Sequence, residues 1–204
     1  MKRLIILLSI FFSCQLSHAQ FDFPNDSAYR PFLKSTYKQI DRKFHLEKAP
    51  EFELRIWTNS FVMGISDLFI LSYKQSKWTA RLFRNTDYKE IDEKRLPDIY
   101  LDSLWAGLMA NNVLTIPESK FLKDSSGREA QIGINDGTHY VFELSAGKNK
   151  RSYFYHCPQT HAEEYKYIKE FTQVVNILKL IFSFCNTTDD EILCMRIANE
   201  HDEL

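Results

Sequence analysis

The sequence predicts an α+β fold: an antiparallel β-sheet, built as a hairpin plus a three-stranded meander, packed against three main helices. Three observations predict it. Apolar residues recur at helical spacing over 31–47, 96–112 and 160–182, and at a spacing of two over 52–57, 67–84 and 129–156. Two-residue turn candidates join neighbouring strand-like runs, which is hairpin spacing and not the long crossover of a parallel sheet. The order is helix, strands, helix, strands, helix, a grouping that puts helices on one face of an antiparallel sheet.

The chain opens on a leader. Lys2 and Arg3 form a positive n-region, Leu4 to Phe12 an apolar h-region, and Ser17-His18-Ala19 places small residues where a signal peptidase reads. Residues 1–19 are therefore expected to be a signal peptide, and 20–204 a single α+β domain. The apolar run is shorter than the roughly 20 residues of a membrane span, so no membrane span is expected in the mature chain.

Pro31 to Glu47 predicts the first helix, with Leu33, Tyr37, Ile40 and Phe44 on one face, and Pro50 ends it. Phe52, Leu54 and Ile56 then alternate with Glu53, Arg55 and Trp57, a strand with one buried face. Asp67–Lys74 and Lys77–Arg84 predict a hairpin about Gln75-Ser76, in which Tyr73 faces Trp78, Leu71 faces Ala80 and Phe69 faces Leu82. Asp87, Glu90, Asp92 and Glu93, interspersed with Lys89, Lys94 and Arg95, read as a solvated linker.

Leu96-Pro97-Asp98 opens the second helix, with Leu101, Leu104, Trp105 and Leu108 inward and Asn111-Asn112 at its end; Val113 to Pro117 is an extended exit. Asp136-Gly137 and Gly147-Lys148 are turn dipeptides and predict a meander of Glu129–Ile134, Thr138–Leu144 and Arg151–His156. Thr160 to Glu163 is a capping box that opens a long helix with Ile168, Phe171, Val175, Leu178 and Phe182 on one stripe; Thr188 to Glu191 starts a short terminal one.

Composition excludes several function classes. The chain has 26 basic and 27 acidic residues, and losing Lys2 and Arg3 leaves 24 against 27, a mature net charge of about −3. That is no basic field for nucleic acid. With 16 Phe and 10 Tyr and only 6 each of Gly and Pro, the chain is not a low-complexity one. No Gly-x-Ser-x-Gly elbow, Gly-rich phosphate loop or His-Glu-x-x-His helix occurs.

The candidate site residues come from register and spacing. If Gly147-Lys148 is the turn, His139 lies opposite His156 with Cβ atoms about 5 Å apart, and His161 follows just past the strand end. Imidazoles at that distance can share a divalent metal, so His139, His156 and His161 are candidate ligands, although no zinc-type spacing accompanies them. Cys185 and Cys194 flank a turn and are a disulfide candidate. Cys157 reads as a structural thiol, because adjacent strand residues point to opposite faces and His156 aims away from it. Tyr140, Phe142, Tyr153 and Tyr155 share one strand face and are expected to lie under the long helix, with hydroxyls at its rim.

Residues 101–117 (LDSLWAGLMANNVLTIP), 136–158 (DGTHYVFELSAGKNKRSYFYHCP) and the following helix resemble small secreted bacterial proteins that are uncharacterised. The shared pattern is an Asn-x-Leu-Thr-x-Pro-like helix exit, an Asp-Gly hairpin and an Arg-x-Tyr-x-Tyr strand ending in proline. The resemblance implies compartment and fold and brings no activity or site residues with it.

The expectation is an exported binding or interaction module of the bacterial periplasm or cell exterior, non-catalytic, with a protein or small-molecule partner and no cofactor. Two alternatives stand beside it. One is a metal-dependent hydrolase using the histidines around His139 and His156. The other follows from His201-Asp202-Glu203-Leu204, which reads as an endoplasmic-reticulum retention signal and, with the signal peptide, would make the chain a lumenal protein; the sequons at Asn25 and Asn186 fit either reading.

Overall fold

Strand patterning decides the architecture. Residues 68–71, Leu-Phe-Ile-Leu, are apolar without interruption, which a strand tolerates only where both of its faces are covered. The computed structural model describes residues 21–27, 29–46, 48–60, 65–85, 91–130 and 137–185. Among the described residues there are six strands, β1 (Phe52–Ser60), β2 (Ile65–Lys74), β3 (Lys77–Asn85), β4 (Asp92–Arg95), β5 (Thr138–Ala146) and β6 (Asn149–His156). They form one antiparallel sheet in the order β4-β3-β2-β1-β5-β6. Four helices accompany it, α1 (Lys34–Phe44), α2 (Leu101–Ala110), α3 (Pro158–Glu164) and α4 (Lys169–Cys185), with a 3-10 turn at Ser119–Phe121. The fold is α+β, and the sheet is open.

The β2–β3 hairpin has the expected register, with Tyr73 opposite Trp78, Leu71 opposite Ala80 and Phe69 opposite Leu82. Gln75 and Ser76 both take positive φ, 50° and 59°, the pattern of a tight primed turn made without glycine. The β5–β6 register also follows the sequence, and Gly147 supplies the positive φ of 58° at its turn.

Two layers cover the sheet. On one face Phe52, Leu54, Ile56, Phe69 and Leu71 join Phe142 and Tyr153 beneath Leu104, Trp105 and Leu108 of α2 and Phe171, Val174 and Leu178 of α4. Phe21, from the segment preceding α1, stacks on Phe52 at 4.5 Å and touches Trp78 and Trp105. On the other face Trp57, Leu68, Ile70, Phe83 and Val141 lie against Ile40 of α1 and Leu46. The helices are therefore not all on one face, as expected above. The odd residues of β1 include Trp57, and the apolar run in β2 supplies a second buried surface that α1 and its flanking residues Phe32 and Leu46 cover.

Three local expectations change with this topology. Both edges of β5 are taken, by β1 and β6, so a strand over 129–134 has no place beside 139–144. Glu129 and Lys123 form only an isolated bridge, and 131–136 lie outside the described residues. Residues 92–95 are not a solvated linker: they pair with Arg81 to Arg84 as an edge strand, and Glu93 bonds Arg81 at 2.7 Å. The long helix is broken into α3 and α4 around Tyr165–Ile168, and its stripe runs through Phe171, Val174, Leu178, Ile181 and Cys185 instead of through Val175 and Phe182. The second helix starts at Leu101, and Asn112, at φ 57°, closes it with Val113 N–H donating to the Leu108 carbonyl.

The leader, Asp87 to Glu90, the Asn186 sequon, the terminal helix from Thr188, Cys194 and residues 201–204 lie outside the described residues. Among the described residues no helix is long and apolar enough to cross a membrane.

Candidate functional site

The register that places His139 opposite His156 also stacks them. Their ring centroids are 4.2 Å apart at 14°, and Phe154 stacks on His139 from the other direction at 5.1 Å. His161, in the first turns of α3, lies flat against Phe171 at 5.0 Å. All three histidines line one small pocket of about 170 Å³ at the end of the sheet, with Ser119, Phe154 and Phe171. Burial is the main cause that lowers His139 and His161 to about 4, with the neighbouring His156 charge second, and burial lowers His156 too. The cluster is therefore neutral at pH 7.

Its geometry does not suit a metal. An imidazole coordinates in its own ring plane, with nitrogen about 2.0–2.1 Å from zinc. Two nearly parallel rings stacked face to face cannot both aim an in-plane lone pair at one ion. Among the described residues no three His, Cys, Asp or Glu side chains are placed to hold a metal. All three expected residues line this pocket, with His139 and His156 stacked ring on ring.

The cysteines also depart from expectation. Cys185 carries a free, buried thiol facing the core from the end of α4, and burial pushes it up to about 12. Cys194, the other half of the disulfide candidate, lies outside the described residues. Cys157, buried at the start of α3, is disulfide-bonded to a partner outside the described residues. Neither residue is an available nucleophile.

The aromatic face of β5 and β6 is core, as expected: Tyr140, Phe142, Tyr153 and Tyr155 are all buried. Their hydroxyls do more than reach a rim. Tyr153 donates to the Val113 carbonyl and Tyr155 to the Pro117 carbonyl, both at 2.7 Å. Arg151, on the same strand face, donates to the carbonyls of Leu114 and Ile116. The Arg-x-Tyr-x-Tyr strand thus clasps the helix exit.

Sequence reasoning missed two buried carboxylates, because Glu53 and Glu143 alternate with apolar residues and read as outward. Glu143 accepts from Trp57 Nε1 at 2.8 Å, Tyr29 Oη at 3.0 Å and the Phe32 N–H at 2.9 Å. Glu53 accepts from Arg55 Nε at 2.6 Å and Ser72 Oγ at 3.2 Å, and the Arg55 guanidinium lies 3.7 Å above the Tyr37 ring. These bonds tie the N-terminal segment and α1 to the sheet. Their oxygens are engaged, which makes them structural anchors and not acid–base catalysts.

Beside Glu53 the sheet opens into a pocket of about 400 Å³ between the exit of α1 and strands β2 to β4. Phe44, Leu46, Ile70 and Leu96 form its apolar wall, and Ser72, Thr79 and Arg81 its polar floor. Arg81 is held from two directions, its Nε donating to Glu93 Oε1 at 2.7 Å and its Nη2 to the Phe44 carbonyl at 2.9 Å. The lining mixes apolar side chains with polar and charged ones, Glu53, Glu93 and Asp98 among them, and the volume falls in the common range of small-molecule seats, about 300–1,000 Å³. No motif announces it, because its residues come from four strands and a helix exit.

No protein-family model matches the chain, and no curated protein matches it.

Proposed function

We propose that this chain is an exported, non-catalytic binding module of the bacterial periplasm or cell exterior, and that it seats a small molecule between α1 and strands β2 to β4. The observation that carries the reading is the clamped Arg81 on the floor of the 400 Å³ pocket. A guanidinium fixed by Glu93 and the Phe44 carbonyl offers its remaining nitrogen with little rotamer entropy left to lose on binding. The leader-like residues 1–19 support the compartment.

Native mass spectrometry of the protein purified from its own cell envelope tests this. A retained small molecule is expected, and Thr79→Phe, which fills the pocket floor, should abolish it. A bare polypeptide mass in the unaltered protein counts against the module. The metal-dependent hydrolase makes a separate prediction: His139→Ala and His156→Ala would each lower bound metal. Unchanged metal content in both variants removes that alternative.

A further inference from the structure

The charges around the α1 pocket are paired. Glu53 meets Arg55, Arg81 meets Glu93, and Lys77 meets Asp98 at the mouth. Each of these carboxylates, and Arg81 itself, thus has an opposite charge beside it. Hydrogen-bond donors, in contrast, are left over. Arg81 spends Nε and Nη2 on Glu93 and the Phe44 carbonyl, which leaves Nη1 unspent among the described residues. Thr79 points to the same face of β3 two residues earlier, about 6.8 Å along the strand, and its hydroxyl bonds no described residue. Both line the pocket. Phe44, Leu46 and Leu96 bring apolar surface to the same pocket, whose lining also holds the paired carboxylates Glu53, Glu93 and Asp98. An anionic oxygen against a fixed guanidinium makes a charge-assisted bond, roughly twice as strong as a neutral one.

Resting on the ligand seat proposed above, we infer that its occupant is a small molecule with an apolar body and one carboxylate head, the head on Arg81 Nη1 and Thr79 Oγ1 and the body against the Phe44–Leu46 side. Isothermal titration calorimetry with 3-phenylpropionate, hexanoate and their matched primary amides tests the assignment on the intact protein. The acids should bind and the amides should bind at least tenfold more weakly. Thr79→Val should weaken the acids several-fold, and Arg81→Lys, which keeps the charge and loses the planar fork, about tenfold. The thermal transition of the Thr79→Val protein, unchanged, would show that folding is not the cause.

Equal affinity for acid and amide overturns the carboxylate assignment, as does acid binding undiminished in both variants. Absence of heat with every acid also overturns it. In that last case the mass measurement separates the two ideas. A retained molecule lost in Thr79→Phe leaves the seat standing with another class of ligand, whereas a bare mass removes the seat as well.

Discussion

Acidification from pH 7 to pH 5 is expected to destabilise this protein through its histidine cluster. A histidine in an unfolded chain titrates near 6.5, whereas burial first and the His156 charge second bring His139 and His161 to about 4. The folded protein thus binds fewer protons than the unfolded chain between those values. Stability is complete above about pH 6.5 and declines as pH falls toward 4. At pH 5 an imidazole moved from about 6.5 to about 4 has lost about 2 kcal/mol relative to pH 7. Solvent screening at partly accessible rings halves that, to ~1 kcal/mol each and ~2 kcal/mol for the pair. The midpoint of thermal unfolding should then drop by about 4–8 °C for a domain of this size. His156, lowered in the same direction, adds to the effect. Two charged rings at their 4.2 Å separation would repel by about 4 kcal/mol at an effective dielectric of 20, so the stacked pair does not accept two protons while folded. Urea unfolding at pH 7 and pH 5, for the unaltered chain and for His139→Gln/His161→Gln, isolates the term, since carboxylates titrate alike in both proteins. The double variant should lose about 2 kcal/mol less on acidification. Equal losses in the two proteins would refute the assignment of the pH dependence to these rings.

Three further outcomes follow from particular bonds. Ser76→Gly should raise stability by about 0.5–1 kcal/mol, because Ser76 holds φ 59° in a turn where glycine is unstrained; a urea midpoint that does not rise would contradict the turn geometry. Glu143→Gln should cost about 2–3 kcal/mol in urea unfolding, since its single carbonyl cannot accept from Trp57, Tyr29 and Phe32 together. Arg151→Ala should cost about 1–3 kcal/mol and speed amide exchange over residues 113–117, because the Leu114 and Ile116 carbonyls lose their charged donor; exchange unchanged in that segment would mean the clasp is not formed in solution.

The parts of the fold that were legible in the sequence are those whose partners lie close by along the chain. The β2–β3 register follows from Tyr73 to Leu82 because a slip of one residue would turn every apolar side chain outward. The pairing of His139 with His156 follows once Gly147 is the turn. The place of β1 was not legible. It lies between β2 and β5, and its pairing of Trp57 with Val141 spans a long stretch of chain with no local signal. Missing that pairing produced the other errors. A meander through 129–134 was credible only while one edge of β5 was thought free, and a one-faced sheet only while Trp57 was thought exposed. Glu53 and Glu143 had to be buried once α1 covered that face, and the alternation in the strands gave no sign of it. The α1 pocket was invisible for the same reason, since Thr79, Arg81 and Phe44 come together only across the sheet and the helix exit.

The clasp solves a packing problem at the end of α2. Arg151, Tyr153 and Tyr155 occupy alternate positions of β6, so all three point to one face, and the exit at residues 113–117 leaves its carbonyls without helical partners. A buried carbonyl without a donor is costly, so a helix that ends over this sheet needs a row of donors spaced two residues apart. The Arg-x-Tyr-x-Tyr pattern supplies that row, and the proline exit presents the acceptors. Any chain that solves this packing problem in the same way will share the pattern, whatever it binds. The α1 pocket lies on the opposite face of the sheet and shares no residue with the clasp, so the ligand seat proposed there can be altered without disturbing it.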